Sequence, residues 1–108
     1  MNPERLYKLN EKVIADLTAL SFSARSTLTD YRNQHQQIRF KLKTLKQAIR
    51  SSRSGEQVKV LNALVKQAHQ ELIEVKQNVK QARETYNHHR LIIVLLRNSN
   101  LCIKDCSL

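Results

Sequence analysis

Four histidines and two cysteines are the side chains here best suited to bind a metal ion or to act as a nucleophile. A metal site gathers three or four such ligands at characteristic spacing. In this chain the histidines are scattered and the cysteines lie within the last seven residues, so no cluster has that spacing. We therefore expect no metal site and no cofactor. The six residues are His35, His69, His88, His89, Cys102 and Cys106.

The acidic residues give no support for catalysis. General acid–base chemistry uses carboxylates whose environment shifts their pKa, whereas Glu71 and Glu74 share their helix surface with lysines. A glycine-rich phosphate loop and a nucleophile elbow are also missing from the sequence. We expect that the protein is not an enzyme, and that it has no catalytic residue and no small-molecule substrate.

Lysine and arginine carry the strongest chemical signal. Nineteen of them against nine aspartates and glutamates give a net charge of +10. No acid occurs from Tyr31 to Gly55, and Glu56 is the only one before Glu71. The same interval holds nine basic residues, here named the basic tip: Arg32, Arg39, Lys41, Lys43, Lys46, Arg50, Arg53, Lys59 and Lys66.

The basic tip is predicted to contact an anionic partner. Like-charged neighbours one helical turn apart, such as Arg39 and Lys43, repel each other by about 0.2–0.5 kcal/mol, and an anion would offset that repulsion. The partner is either an acidic protein surface or DNA or RNA. Only Tyr31 and Phe40 are aromatic in this interval, so nucleic-acid contact should be independent of base sequence. A solvated surface without a partner is the remaining alternative.

These charges must be positioned by long helices, and the second half of the chain shows the clearest one. Its apolar positions recur at alternating steps of three and four residues, interrupted only by His89. Such a stripe is typical of a coiled-coil seam. It consists of Val58, Leu61, Val65, Ala68, Leu72, Val75, Val79, Ala82, Tyr86, His89, Ile93 and Leu96.

The first half is also predicted to be a helix, with a change of repeat at Leu28. Before Leu28, the positions Leu6, Leu9, Val13, Leu17, Leu20 and Ala24 follow an eleven-residue repeat. After it, Tyr31, His35, Ile38, Leu42, Leu45 and Ile49 follow heptads. Asn2 and Pro3 are suited to begin this helix.

Residues 51–55 form the one credible break, because the chain has a single glycine and a single proline. Ser54 and Gln57 have the spacing of a capping box for a second helix. We predict one all-α domain comprising helix 3–50, loop 51–55, helix 56–97 and a short tail 98–108. One continuous helix in a parallel dimer is the alternative.

A short loop makes the two helices antiparallel neighbours, so a helical hairpin is predicted. Folding near residue 52 or 53 pairs residues whose numbers sum to about 105. Leu9 would then face Leu96, Val13 would face Ile93, and Leu20 would lie near Tyr86.

Both helices are apolar on more than one side where the chain ends meet. A helix of that kind is covered on more than one side, so we expect other coiled-coil subunits, in a homo- or hetero-oligomeric bundle. The predicted partner interface comprises Leu6, Leu9, Val13, Ile14, Leu17, Leu20, Phe22, Tyr86, Ile92, Ile93 and Leu96.

Cysteine usage and hydropathy indicate the compartment. Two closely spaced cysteines suggest free thiols in a reducing intracellular compartment, the nucleus or the cytoplasm. The longest apolar run, 91–96, is far shorter than the roughly 20 residues of a membrane span. No signal peptide is expected, since charged residues interrupt the N-terminal apolar positions.

The last eighteen residues resemble the end of the centromere protein H family, in which a coiled coil leads into an apolar pair, a small residue, a hydrophobic residue, an acid and a final leucine. Leu95-Leu96, Ser99, Leu101, Asp105 and Leu108 occupy the corresponding places. Cys102 or Ile103 stands where that family has tryptophan. The resemblance implies a non-enzymatic, obligately hetero-oligomeric subunit of the inner kinetochore.

Together these patterns predict a coiled-coil scaffold subunit of a multiprotein assembly. Its basic tip would contact an anionic partner. Its apolar base, Leu6 to Leu28 with Tyr86 to Leu96, would be buried against other helices. The alternative is a free-standing helical hairpin that binds nucleic acid without sequence preference.

Overall fold

The computed structural model describes residues 2–107, and of Ser107 only the backbone. It contains α1 (Pro3–Ser51) and α2 (Gly55–Ser107), and no strand within the described range. The predicted all-α antiparallel hairpin is confirmed. Leu108, which takes part in the family resemblance, lies outside the described residues.

Asn2 caps the first helix as its sequence position predicts. Its Oδ1 accepts a hydrogen bond from the backbone N–H of Glu4 at 2.9 Å, and its carbonyl accepts one from Leu6 at 3.1 Å. Because an asparagine side chain satisfies one of the free N–H groups of the first turn, it fixes where the helix begins.

The loop is shorter than predicted, since only Ser52 to Ser54 lie between the helices. The Ser54 carbonyl accepts the first α2 hydrogen bond, from Val58 at 3.1 Å. The predicted capping box is wrong: the Gln57 Oε1 accepts from the Ser52 hydroxyl at 3.0 Å instead. Gly55 begins α2 without a positive φ.

The predicted tail is also wrong, because α2 continues past Arg97 to Ser107. Asn98, Ser99 and Asn100 suggest a turn by composition. Asn100, however, is buried against α1, where it makes hydrogen bonds that a frayed end would lose. Tertiary contacts here outweigh the low helix propensity of asparagine and serine.

The predicted stripe of α2 is confirmed in full. Every one of its twelve positions from Val58 to Leu96 is buried or half-buried, His89 included. Two further positions, Asn100 and Ile103, extend the same alternation of three and four residues toward the end of the helix.

In the first part of α1, the eleven-residue repeat is wrong. The buried residues Asn10 and Leu28 and the half-buried Ile14, Leu17, Ser21 and Ala24 instead follow heptads, and residues beside this seam are half-buried as well: Leu6, Tyr7, Val13 and Thr18. Leu9 and Leu20 are exposed. The seam therefore includes two polar residues and leaves two leucines outside it.

The pairing register differs from the predicted one for the same reason. The numbers of the paired residues Asn10 and Asn100 sum to 110, and those of Lys41 and Glu71 to 112, rather than 105. The predicted contacts of Leu9 with Leu96 and of Leu20 with Tyr86 are thus about five residues out of register. The seam positions of α1 and α2 are mirror images about Gly55, so the numbers of two paired seam residues sum to 110.

Contacts divide the chain into two units, which we name the terminal unit (Met1–Leu28 with Ala82–Leu108) and the loop unit (Thr29–Gln81). The terminal unit buries Leu28, Ile93, Asn10 and Asn100. The loop unit buries Leu42, Ala68 and Val75. Each unit therefore has a narrow core along its own part of the seam, and large apolar side chains remain outside both cores.

Candidate functional site

All nine residues of the basic tip are exposed, and all belong to the loop unit. This unit has eleven lysines and arginines against four acids, so it carries +7 of the total charge of +10. Among the described residues, the basic tip makes one ion pair, between Lys41 Nζ and Glu71 Oε2 at 3.8 Å. The other eight cations of the basic tip form no ion pair with a described residue.

Part of the basic tip lines a groove between the helices of the loop unit. Arg39, Lys43 and Lys46 recur at steps of four and three residues, so they share one edge of α1. His69 contributes from α2, and no carboxylate lines the groove, whose volume is about 360 Å³. The remaining lining residues are Leu42 and Leu72. An anion bound here would contact the three cations and the two leucines.

The structure divides the predicted partner interface into covered and exposed residues. Leu9, Leu20 and Phe22 are exposed, and Phe22 retains 72% of its accessible surface. The others are buried or half-buried within the hairpin itself: Leu6, Val13, Ile14, Leu17, Tyr86, Ile92, Ile93 and Leu96. Ile93 is 7% exposed, so it stabilises the hairpin and offers almost no surface to a partner.

Four exposed apolar residues of the terminal unit were missing from the predicted interface: Leu91, Val94, Leu95 and Leu101. The first three lie off the seam but inside the apolar run 91–96, and this run is the sequence signal that indicates them. Leu101 lies within residues 98–108, which the sequence predicts as a tail. The exposed apolar surface of the terminal unit is thus larger on α2 than predicted.

A second groove lies between α1 and α2 in the terminal unit, and we name it the arginine groove. It has a volume of about 180 Å³, and Arg25, Arg90 and Arg97 line it beside Phe22 and Val94. Its other lining residues are Thr18, Ser21, Tyr86 and Ile93. It therefore combines apolar side chains with three guanidinium groups and contains no carboxylate.

Tyr86 holds one of these guanidinium groups in position. The Arg90 Nη1 donates a hydrogen bond to the Tyr86 hydroxyl oxygen at 3.1 Å, and the Arg90 Cζ lies 5.8 Å from the centroid of the Tyr86 ring. A cation near an aromatic face is attracted by the ring quadrupole. Both residues line the groove, so Tyr86 restrains the Arg90 guanidinium group there.

The histidines and cysteines do not converge. His69 lines the loop-unit groove, and His35 is not among the residues that line it. His89 lies in the seam, and its buried Nδ1 has no hydrogen-bond partner among the described residues. Cys102 and Cys106 are exposed free thiols. Within residues 2–107, no three potential ligands gather to hold a metal ion.

Comparisons of the chain with family models, curated proteins and solved structures give no match. Nothing in them bears on the centromere protein H resemblance. No helix among the described residues is long and apolar enough to cross a membrane. The features of the chain that indicate a function are therefore its exposed apolar residues, the basic tip and the two grooves.

Proposed function

We propose that this protein is a non-enzymatic coiled-coil scaffold subunit of a multiprotein assembly. The observation that carries the proposal is the exposed apolar surface of the terminal unit. It comprises seven large side chains: Leu9, Leu20, Phe22, Leu91, Val94, Leu95 and Leu101. Val94 and Leu95 follow Leu91 at three and four residues, and neighbouring exposed apolar side chains of this kind mark an interaction site more often than isolated ones do.

The two helices cannot cover this surface themselves. Their heptad seam is only about two residues in seven wide, and Leu91 and Leu95 lie on the opposite side of α2 from the seam residues Ile93 and Leu96. Additional helices packed on that side would bury these residues in a bundle. Other coiled-coil subunits are therefore the partners we propose.

Purification of the native chain under mild conditions tests this proposal. We expect the chain in a stoichiometric complex, with its partner identified by mass spectrometry of the purified material. Sedimentation of the isolated recombinant chain should show self-association or a tendency to aggregate. A stable, dilute monomer that co-purifies with nothing would overturn the scaffold function.

The basic tip is proposed to contact an anionic surface within the same assembly. Its support is the set of eight exposed cations without an ion pair, together with a groove that has cations and no carboxylate. Contact with about six phosphates would give a log–log salt dependence of affinity with a slope near −5. An acidic protein surface would give a shallower dependence because it presents fewer, discrete charges.

Charge reversal tests the role of the basic tip. We expect substitution of Arg39, Lys43, Lys46 and Arg50 by glutamate to abolish anionic binding. A control with the same net charge reverses four exposed cations outside the basic tip: Arg5, Lys12, Lys76 and Lys80. Equal losses in both variants would show that net charge matters and that the basic tip is not a defined site.

A free-standing, sequence-nonspecific DNA- or RNA-binding hairpin is the second candidate, and the +7 charge of the loop unit favours it. The two candidates differ in what the isolated chain does. Salt-sensitive binding of duplex DNA or of RNA by the chain alone, without any partner subunit, would favour the hairpin. Binding only after assembly with a partner would favour the scaffold.

Association with the kinetochore or chromatin, and hence the nucleus, is proposed from the family resemblance alone. Leu95, Leu96, Ser99 and Leu101 lie on α2, so the resembling residues form part of a helix. Fluorescent tagging of the full chain in dividing cells tests this placement. Discrete centromeric foci are expected, and a diffuse cytoplasmic signal would contradict it.

A further inference from the structure

We propose that the arginine groove of the terminal unit binds a partner helix that carries acidic residues at seven-residue spacing beside an apolar stripe. The inference rests on the scaffold function above and specifies the chemistry of one partner. It concerns the surface formed by Phe22, Val94 and the neighbouring basic residues, and leaves the basic tip aside.

A heptad row of cations runs along one edge of α2. Arg83, Arg90, Arg97 and Lys104 are spaced by seven residues, so they lie on the same edge of the helix in four successive pairs of turns. No acid occurs between Glu84 and Asp105. In coiled coils, charged residues that flank an apolar seam at heptad spacing determine which partner binds and in which orientation.

The apolar residues needed beside such a row are also present. Val94 and Leu101 recur at seven residues next to the basic row, and both are exposed. Phe22 stands on the α1 side of the same groove, with 72% of its surface exposed. Burial of so exposed a phenylalanine against a partner helix would favour binding. The basic row would form the polar rim of an interface, and Phe22 with Val94 and Leu101 would form its apolar centre.

One cation of the groove, Arg90, is preorganised to bind a carboxylate. Arg90 is held against Tyr86 by a 3.1 Å hydrogen bond and a ring contact. Neither Arg90 nor Arg97 forms an ion pair with a described residue. A guanidinium group presents paired N–H donors that match the two oxygens of a carboxylate. Glutamates spaced by seven on a partner helix would reach Arg90 and Arg97 together.

A second copy of this chain is a poorer occupant. The acids of the terminal unit's first turns are already engaged: Glu4 pairs with Lys8 at 3.7 Å, and Glu11 accepts a hydrogen bond from Asn100 at 3.2 Å. Two copies packed through this surface would bring two basic rows together. A membrane is also a poorer occupant, because the cations flank one edge only and the chain has no tryptophan.

Designed peptides of four heptads test the inference directly. The probe has leucine at its seam and glutamate at the flanking positions, with hydrocarbon staples that keep it helical and monomeric. A matched peptide has lysine in place of each glutamate. Anisotropy titration with the full chain should show tighter binding of the glutamate peptide by tenfold or more, declining as salt is raised.

Charge-swapped variants identify the residues responsible. We expect the double variant Arg90→Glu and Arg97→Glu to lose about tenfold in affinity for the glutamate peptide, and to gain affinity for the lysine peptide. The control variant, Lys76→Glu and Lys80→Glu, has the same net charge and should bind as the wild type. Phe22→Ala should weaken binding of the glutamate peptide without altering the circular dichroism of the chain, since Phe22 is exposed.

Several outcomes would overturn the inference. Equal binding of the two peptides, or equal loss in the Arg90/Arg97 and Lys76/Lys80 variants, would remove the specific role of the groove. Binding to phosphatidylserine vesicles that depends on Arg90 and Arg97, without glutamate-peptide binding, would assign the surface to a membrane. A dimer that the same double substitution dissociates would assign it to a second copy.

The failure of this inference is distinguishable from the failure of the scaffold function. If the native chain co-purifies in a stoichiometric complex that the Arg90/Arg97 variant leaves intact, the scaffold stands and the partner binds elsewhere. If the native chain is a partner-free monomer, the scaffold function itself fails.

Discussion

Replacing Asn10 with leucine should destabilise the protein although it adds an apolar residue to the seam. Asn10 and Asn100 are 8% and 4% exposed, and the Asn10 Nδ2 donates a hydrogen bond to the Asn100 Oδ1 at 2.9 Å. The Asn100 Nδ2 also donates to the Tyr7 carbonyl at 3.3 Å and to Glu11 Oε1 at 3.2 Å. Asn100 is thus fully engaged only when Asn10 is present.

The loss of stability is set by the side-chain amide of the remaining asparagine, which loses its partner. Asn10→Leu leaves the Asn100 Oδ1 buried without a donor, which costs about 1–3 kcal/mol. Asn100→Leu likewise leaves the Asn10 amide without its partner. The double replacement removes both amides and buries two leucines, so it should be at least as stable as the wild type. The two sites should therefore couple by about 1–3 kcal/mol.

Urea denaturation followed by circular dichroism, at one fixed protein concentration, measures this cycle. Asn98→Leu is the matched control, because Asn98 is exposed two residues earlier in the same helix and its replacement should change stability by less than about 0.5 kcal/mol. Additive single effects, or single replacements as mild as the control, would refute the assigned hydrogen bond.

The same pair should fix the register of the terminal unit. A single buried polar layer specifies register at a cost in stability. Spin labels at Lys8 and Lys104 should give a narrow distance distribution in the wild type and a broader one in the double leucine variant. An equally narrow distribution in both would mean that shape complementarity alone sets the register.

Three further predictions concern the loop unit. Gly55→Ala should stabilise by about 0.4–1 kcal/mol in thermal melts, since Gly55 begins a helix with open space around its Cα and without a positive φ. Leu42→Ala should cost about 2–5 kcal/mol because Leu42 is 6% exposed, whereas Phe40→Ala, at 71% exposed, should cost less than about 0.5 kcal/mol in the isolated chain. Glu71→Gln removes the ion pair with Lys41, and it should change the free energy of unfolding by at most about 1 kcal/mol, with a smaller change in high salt. Urea titrations at two ionic strengths measure this change.

The helices and the seam of α2 could be predicted because apolar residues fill nearly every seam position there. His89 is a lone exception, and the alternation of three and four residues continues on both sides of it. Periodicity of this kind identifies a buried stripe without any knowledge of the partner helix. It gives no information on which residues of α1 lie opposite.

The first turns of α1 could not be predicted in this way, because two candidate stripes compete. Leu9 and Leu20 make the apolar stripe look like an eleven-residue repeat, while the true seam passes through Asn10 and Ser21. Apolar residues are commonly exposed, so an apolar position is weak evidence of burial. The buried asparagine was the stronger signal once its partner was considered.

That partner could have been found by symmetry. Asn10 and Asn100 are equally distant from Gly55, and the seam positions of both helices mirror each other about the same glycine. Pairing the nearest apolar residues, without this constraint, gives a register that is about five residues out. The tail is a separate misprediction, which comes from the turn-like composition of residues 98–100. In an antiparallel hairpin, the seam positions of both helices must be placed symmetrically about the loop. This condition restricts the register more than the heptad pattern of either helix alone.

The two units differ in what they leave exposed, and this difference separates their responses to salt. Apolar burial is insensitive to salt or slightly strengthened by it, whereas contacts between opposite charges are screened. A complex formed through Leu91, Leu95 and Phe22 should therefore persist at ionic strengths that release an anion from the basic tip. One chain could in this way stay assembled with its partner helices while its hold on an anionic surface is adjusted independently.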